Sequence, residues 1–136
     1  DVVTKKVYNY VVFRKRFTMD QLPHHHQHQE IDMDHLPAND TFNPVADTFK
    51  LLSDPIRLKL FWILCHHELC VLNLAATVNM SSPAIAHHLR KLKDNQLLVS
   101  RKVGKEVYYH AANTPIVQAL HPMMEVMMDI HCPNEK

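Results

Sequence analysis

A run of small, polar and basic side chains between residues 79 and 93 has the composition of a surface that reads DNA. The run is Asn-Met-Ser-Ser-Pro-Ala-Ile-Ala-His-His-Leu-Arg-Lys-Leu-Lys. Its Ile and Leu positions recur at three- and four-residue spacing, as on a helix that buries one face and offers Ser, His and Arg on the other. Such a helix can lie in a major groove, where its polar side chains reach base edges. The run therefore predicts a DNA-recognition helix.

The charge of the chain is concentrated around that run. Residues 82–105 carry six Lys or Arg and one acid, a net charge of +5, whereas the remaining residues carry −4. A basic stripe on an acidic body favours a polyanionic partner such as double-stranded DNA. A solvated helix face has the same charge pattern, so the charge supports the motif without replacing it.

Histidine is the second group of residues whose chemistry could bind a ligand. Five of the twelve histidines fall between residues 24 and 35, in the run His-His-His-Gln-His followed by Asp32, Asp34 and His35. Imidazole and carboxylate groups suit borderline divalent transition metals. The segment predicts either a defined metal site or a flexible tail that binds metal weakly.

The chain has three cysteines, Cys65, Cys70 and Cys132, which form no even framework of disulfides, and nothing in it resembles a signal peptide. We therefore expect a cytoplasmic protein with reduced thiols. Reduced thiols can serve in metal binding or in redox sensing. A disulfide between Cys65 and Cys70 would require the helix end between them to bend.

The length of 136 residues predicts one domain with tails. We expect residues 1–43 to be an N-terminal extension and a largely flexible His-rich tail, residues 44–131 to form the folded domain, and residues 132–136 to be a C-terminal tail. Residues 1–18 are interpreted as an upstream extension or a cloning artefact, because Met19 opens the sequence that fits the domain. The alternative is a short strand or basic arm that touches DNA. No apolar run approaches the ~20 residues that cross a bilayer. A core of this modest size favours a homodimer.

Two helices are predicted before the cysteine-containing segment. The first begins near Pro44 and ends at residue 52. Residues 53–55, Ser-Asp-Pro, are a signal that a second helix begins there, and this helix extends to about residue 66. The apolar positions on one side are Val45, Phe49 and Leu52 in the first helix and Ile56, Leu60, Ile63 and Leu64 in the second.

The next two helices form a helix-turn-helix. A short helix spans about residues 71–78, and Ser81 or Ser82 caps the recognition helix, with Pro83 near its first turn. The core positions of the recognition helix are Leu89 and Leu92.

A hairpin and a last helix complete the fold. Residues 97–102 and 106–110 are predicted strands, with Gly104 in the turn between them, where a positive φ is unstrained for glycine. A last helix over about residues 114–128 carries a methionine stripe that is typical of a packing surface, here a subunit interface. Pro122 is expected to kink this helix or to make it restart. The fold class is mainly α with a small β-hairpin wing, a winged helix-turn-helix that dimerises through its terminal helices.

Four runs in series carry a resemblance to a known family. They are residues 49–58 (Phe-Lys-Leu-Leu-Ser-Asp-Pro-Ile-Arg-Leu), 68–71 (Glu-Leu-Cys-Val), 81–92, and 104–109 (Gly-Lys-Glu-Val-Tyr-Tyr). With these runs the chain resembles the ArsR/SmtB family of winged-helix, metal-responsive repressors, over about residues 44–131. The resemblance implies a homodimer of five-helix winged subunits that binds a palindromic operator. It also implies that metal binding weakens the complex with DNA.

The resemblance also implies which residues contact DNA. Short side chains would let the recognition helix approach base edges, while charged ones set its register on the phosphates. His87 has an alternative as a buried hydrogen-bonding residue, and for His88 a solvated position is the stronger interpretation. Pro83 and Ala86 replace more usual polar residues, so fewer direct base contacts are expected. The implied contacts to bases are Ser82, Pro83, Ala86, His87 and His88, the implied contacts to phosphates are Arg90, Lys91, Arg101, Lys102 and Lys105, and Ser81 is a further DNA-binding candidate.

The first metal site of the family joins thiolates at the start of the third helix to ligands from the N-terminal tail. This chain retains Cys70, whereas Leu72 stands where arsenic and cadmium sensors have a second Cys, and Asn73 replaces an Asp. Three thiolates for As(III) are therefore lacking. A mixed Cys–His site would suit Zn²⁺ or another divalent transition metal. Its candidate ligands are Cys70, His24, His25, His26, His28 and His35.

The second metal site of the family spans the last helices across the dimer. The aligned positions here are Asn113, Pro115, Val126 and Asp129. Of these, only Asp129 can bind a metal. A shifted site is the alternative, because residues 121 and 125 lie on one helical face. Its candidate ligands are His121, Glu125, Asp129, His131 and Cys132.

The sequence therefore predicts a homodimeric repressor of transcription whose operator affinity is set by a transition metal, Zn²⁺ first. The alternatives are a regulator of the same fold that responds to redox or another ligand, one that has lost its sensing site, and a His-rich metal-buffering protein. An enzyme is not expected, because a single glycine allows no Gly-rich phosphate loop and no acid–base pair or nucleophile elbow is recognisable.

Overall fold

A computed structural model describes residues 35–130 of the chain. The chain divides into two compact units, residues 1–47 and residues 48–136. The predictions for the extension, for the start at Met19 and for the C-terminal tail fall outside the described residues. So do those for five candidate ligands, His24, His25, His26, His28 and His131, and for Cys132.

Helix α1, Asn39–Leu52, begins five residues earlier than expected. The prediction that Pro44 starts the helix is wrong, because Pro44 lies inside it. A proline this close to a helix N-terminus removes one backbone hydrogen bond, and Asp40 in the first turn complements the positive end of the helix dipole. On the apolar side, Leu52 is buried, whereas Val45 and Phe49 are exposed.

Helix α2, Pro55–His66, begins where the sequence predicts. The Asp54 carboxylate accepts hydrogen bonds from the backbone N–H groups of Ile56 and Arg57 at 2.8 and 3.1 Å. The Arg57 side chain also donates to the carbonyl oxygen of Leu51 at 2.7 Å, which satisfies an end carbonyl of α1. Leu60 and Leu64 are buried as expected, Ile56 and Ile63 are half-buried, and Phe61 is fully buried outside the expected set.

The helix-turn-helix consists of α3, Val71–Val78, and α4, Ser82–Asp94. Asn79 ends α3 in the left-handed conformation, with φ of 54°. Ser81 rather than Ser82 is the N-cap of α4, and its hydroxyl accepts from the backbone N–H of Ala84 at 3.4 Å. The side chains of α4 that are fully buried are Ile85, Leu89 and Leu92. These three orient the opposite face of α4 towards solvent.

The wing is a hairpin of β2, Leu98–Val103, and β3, Glu106–Ala111. Strand β2 begins and ends one residue later than predicted, and β3 begins as predicted and extends one residue further. Gly104 has φ of +61° in the turn, as predicted. A two-residue strand β1, Leu69–Cys70, pairs with β3 so that Cys70 lies opposite Tyr108, and the antiparallel sheet has the order β1-β3-β2. Two residues are too few for periodicity to reveal a strand, so the sequence did not predict β1.

Helix α5, Pro115–Met128, is capped by Thr114, whose hydroxyl accepts from the N–H of Val117. Pro122 lies inside this helix, so the expected restart does not occur. Only the hydrogen bond that an N–H at position 122 would have made is lost. Val117, Leu120 and Met124 are buried in the core that α2 and α4 share.

Candidate DNA-binding surface and metal-ligand clusters

The side chains on the outward face of α4 are small at the beginning of the helix and basic towards its end. Pro83 and His87 are exposed, and Ser82 and Ala86 are half-buried beside them. Ser81 is exposed, with its hydroxyl engaged in the cap. The three basic side chains in the second half of α4, Arg90, Lys91 and Lys93, are also exposed. The groove of a polyanion such as double-stranded DNA could therefore approach the first half of α4 closely, while its phosphates would meet the positive charge of the second half.

His88 occupies a different environment from its neighbour His87. It is half-buried, and its Nδ1 atom is buried without a hydrogen-bond partner among the described residues. Burial lowers the pKa of His88 below its ordinary value, although the nearby Asp54 carboxylate acts in the opposite direction. The interpretation of His88 as a solvated residue is therefore wrong, and burial, considered as an alternative for His87, applies to His88 instead.

The wing presents three basic side chains, Arg101, Lys102 and Lys105, all exposed. Arg101 differs from the two lysines because its Nε donates to the Glu68 carboxylate at 2.7 Å and its Nη2 donates to the same oxygen. This hydrogen bond holds the pKa of Glu68 below its usual range. The guanidinium also lies 5.8 Å from the centre of the Tyr108 ring. The positive charge of Arg101 is therefore partly neutralised, whereas no such partner is found for either lysine among the described residues.

Cys70 is buried, with 6% of its surface exposed, at the junction of β1 and α3. The structure therefore places this candidate ligand in the edge strand β1, with its side chain buried rather than on an open surface. His35 is exposed in the first unit. Cys65 is half-buried and packs against the core.

A second cluster lies where α2 ends and α5 passes. The Nε2 atoms of His66 and His121 are 3.0 Å apart, and His121 Nε2 is 3.6 Å from Glu125 Oε1. The His121 and Glu125 pair was predicted from spacing, but His66 was missed because it is 55 residues from His121. Asp129, the C-cap of α5, is exposed. Within residues 35–130, no three His, Cys, Asp or Glu side chains are already arranged around one point as metal ligands are.

The sequence of this region matches a known family of regulators. Residues 54–98 match the model described as bacterial regulatory protein, arsR family. The chain is 31% identical over 99 residues to the arsenical resistance operon repressor of Staphylococcus aureus, a match that covers 71% of this chain and 95% of that protein. The chain belongs to the arsR family. The resemblance drawn from the sequence motifs is thereby confirmed.

Two further relatives support the assignment to the arsR family. A transcriptional repressor SmtB homolog from Synechocystis is 40% identical over 78 residues, which are 57% of this chain and 59% of that protein. The match thus spans less than two thirds of that repressor. The cadmium resistance transcriptional regulatory protein CadC of Listeria innocua is 39% identical over 84 residues, covering 61% of this chain and 71% of that protein. These relatives are regulators of transcription, so the expectation that the chain is not an enzyme is confirmed.

Solved structures confirm the winged helix-turn-helix fold. One is the homodimeric winged helix-turn-helix DNA-binding domain of a possible ArsR-family regulator from Mycobacterium bovis, with a TM-score of 0.59 and 27% identity over 66% of this chain and 82% of that one. Another is NolR from Sinorhizobium fredii, with a TM-score of 0.63 and 21% identity over 76% of this chain and 100% of that one. Among the described residues, no helix is long and apolar enough to cross a membrane.

Proposed function

We propose that this arsR-family protein is a homodimeric, cytoplasmic repressor that binds operator DNA and whose operator affinity is regulated by a transition metal, Zn²⁺ first. The observation that carries the DNA-binding part is the orientation of α4. Three fully buried side chains, Ile85, Leu89 and Leu92, turn its small and basic residues outward. That is the arrangement a recognition helix needs.

In this proposal the bases are read from the first half of α4 and the phosphates are bound at its end and on the wing. Ser82, Pro83, Ala86 and His87 are short enough or exposed enough to let the helix approach base edges. The phosphate contacts come from Arg90, Lys91, Lys102 and Lys105, with a weaker contribution from Arg101 because Glu68 already accepts its hydrogen bonds.

The proposal of a homodimer is supported by apolar side chains that one subunit leaves in water. On α5, Val126 is 81% exposed and Met127 is 77% exposed, and Ile116 is exposed on the same helix. Exposed apolar surface of this kind marks an interaction site. The similar solved domain from Mycobacterium bovis is a homodimer. Two subunits related by a two-fold axis would bind half-sites about 34 Å apart on a palindromic operator.

The metal response is supported by the names of the relatives and by the position of Cys70. The relatives from Staphylococcus and Listeria are named for arsenical and cadmium resistance. Cys70 pairs with Tyr108 of the wing strand β3 and is the N-cap residue of α3. A metal bound by the Cys70 thiolate would therefore act directly on the wing and on the helix that precedes α4. A coupling of about 1–3 kcal/mol between metal and DNA is enough to regulate binding.

Two ligand sets are proposed for that metal. The first is Cys70 with His24, His25, His26, His28 or His35, and the second is His121 and Glu125 with Asp129, His131 or Cys132. Zn²⁺ suits either set, because it accepts thiolate, imidazole and carboxylate ligands in tetrahedral geometry.

The test is fluorescence anisotropy of the reduced full-length chain on labelled duplex DNA from upstream of its own gene, with and without Zn²⁺. We expect tight binding that Zn²⁺ weakens, by roughly 5- to 150-fold for the coupling given above. Cys70→Ser should abolish the response if the first ligand set is used, and His121→Gln should abolish it if the second is used. Binding that Zn²⁺ and other divalent metals leave unchanged would overturn metal regulation, and absence of DNA binding would overturn the repressor.

A further inference from the structure

The cluster formed by His66, His121, Glu125 and Trp62 has no role in the proposed DNA-binding surface. His66 is the last residue of α2, while His121 and Glu125 are one turn apart on α5. The indole of Trp62 completes the cluster, because its ring centre is 4.9 Å from the His66 ring and 5.0 Å from the His121 ring. Two helices far apart in sequence thus bring two imidazoles and one carboxylate together.

The contact between the two imidazoles defines what the cluster can bind. Nε2 of His66 and Nε2 of His121 are 3.0 Å apart, so one nitrogen must donate a proton to the lone pair of the other. When the donor ring carries its proton on Nδ1 instead of Nε2, both rings stay neutral and both Nε2 atoms offer a lone pair to a metal between them. The Glu125 carboxylate, 3.6 Å from His121 Nε2, supplies a negative charge beside it. Two imidazoles and a carboxylate are a ligand set of catalytic and regulatory zinc sites.

The dimensions of the cluster are close to those of a zinc site. Two nitrogens that bind one tetrahedral Zn²⁺ at about 2.0–2.1 Å lie about 3.3 Å apart. The nitrogens here would therefore separate by a few tenths of an ångström when a metal replaces the shared proton. The described residues do not form a closed ligand set, and Glu125, whose Oε1 is 3.6 Å from His121 Nε2, would have to rotate to bring an oxygen to the metal.

We propose that His66, His121 and Glu125 bind one divalent transition metal, Zn²⁺ first, in the shared space between the two Nε2 atoms, with a water molecule as the fourth ligand. His66 distinguishes this site from the ligand sets proposed above, and the site uses no thiolate. The metal would fasten the end of α2 to α5. Because α2 packs directly against α4, this bond would bear on the recognition helix. Metal binding itself is independent of the proposed repressor function, and only its regulatory effect rests on that function.

Trp62 is the only tryptophan of the chain and reports on this cluster directly. The test is a Zn²⁺ titration of the reduced full-length protein, without DNA, followed by tryptophan fluorescence. We expect a saturable change that is complete at one bound metal per chain. The His-rich tail can also bind Zn²⁺, but it contains no tryptophan. Zn²⁺ bound only to the tail therefore does not by itself produce the fluorescence change expected at Trp62.

Three variants and one control make the assignment specific. His66→Gln and His121→Gln should each weaken the fluorescence titration by roughly tenfold or more, because loss of a ligand costs at least as much as loss of a residue that supports one. Glu125→Gln keeps the size of the side chain and should also weaken it. His67→Gln removes the adjacent, exposed histidine and should leave the titration unchanged. Far-ultraviolet circular dichroism verifies that each variant is folded.

Cobalt identifies the ligands independently. Co²⁺ bound at this cluster should give the visible spectrum of a tetrahedral site without the near-ultraviolet charge-transfer band of a thiolate. A thiolate band that Cys70→Ser removes, together with an unchanged Trp62 titration in folded His66→Gln, would overturn the proposal. So would a wild-type Trp62 signal that Zn²⁺ does not change. If Zn²⁺ changes Trp62 fluorescence but the protein does not bind DNA, the metal site is supported and the repressor function is contradicted. If Zn²⁺ releases DNA but leaves Trp62 fluorescence unchanged, the repressor function is supported and this metal site is contradicted.

Discussion

Replacing Glu68 by glutamine should strengthen DNA binding, although Glu68 itself is not a proposed DNA contact. The Glu68 carboxylate accepts two hydrogen bonds from Arg101 on the wing. Glutamine has the same size but no charge, so its amide oxygen neutralises none of the charge of Arg101 and competes only weakly with a phosphate for the guanidinium. One additional neutralised phosphate steepens the dependence of log K on log salt by about 0.9. Between about 50 and 200 mM salt, this makes the loss of affinity about 3- to 4-fold greater than in the wild type.

The assay is anisotropy on one duplex across that range of salt. Glu106→Gln is the matched control, because Glu106 is an exposed acid on the same hairpin as Arg101 and, within residues 35–130, Arg101 donates to Glu68 and not to Glu106. It removes the same charge from the wing without releasing Arg101. Equal salt slopes for Glu68→Gln and wild type would refute the reasoning. An identical steepening in Glu106→Gln would show that net charge rather than release of Arg101 is responsible.

Three further predictions concern stability, each measured by urea unfolding. Leu89→Ala should lower the free energy of unfolding by about 2–5 kcal/mol, because Leu89 is fully buried, and a loss below 1 kcal/mol would contradict its place in the core. Gly104→Ala should cost about 1–2 kcal/mol through its φ of +61° alone, since no atom lies within 4 Å of the added methyl group, and an unchanged midpoint would contradict the turn. Stability should fall as the pH drops below 6.5, because the unfolded chain then protonates His88 while the folded chain, with a lowered pKa, does not. His88→Gln should reduce this pH dependence and His87→Gln should not, and the opposite pattern would contradict the burial of His88.

The elements of the domain could be predicted wherever a local signal marked them. The starts of α2 and α4 could be predicted because a side chain able to accept from the first-turn N–H groups, Asp54 or Ser81, is followed within two residues by a proline and then by an apolar helical repeat. Gly104 marked the turn of the wing through the same local chemistry. By contrast, the prediction that a helix begins at Pro44 was wrong, and the restart that was one alternative at Pro122 does not occur. A single missing hydrogen bond does not end a helix whose other residues continue it.

The contacts between distant residues were the part that sequence alone did not reveal. Arg101 and Glu68 are 33 residues apart and meet only because β1 joins the sheet beside β3. His66 and His121 are 55 residues apart and meet only because α2 ends beside α5. Charge and spacing identified Arg101, His121 and Glu125 as candidates. Their partners depend on packing that no local pattern encodes.

The central claim is that α4 recognises a DNA sequence. The most direct test compares the affinity of the full-length chain for duplex DNA from its own upstream region with its affinity for a scrambled duplex of equal length, at one salt concentration. We predict that the upstream duplex binds roughly 1,000-fold or more tightly, and that His87→Ala reduces this ratio while non-specific binding stays the same. Equal affinity for the two duplexes, or a ratio that His87→Ala and Ser82→Ala together leave unchanged, would contradict the assignment of α4 as the recognition helix.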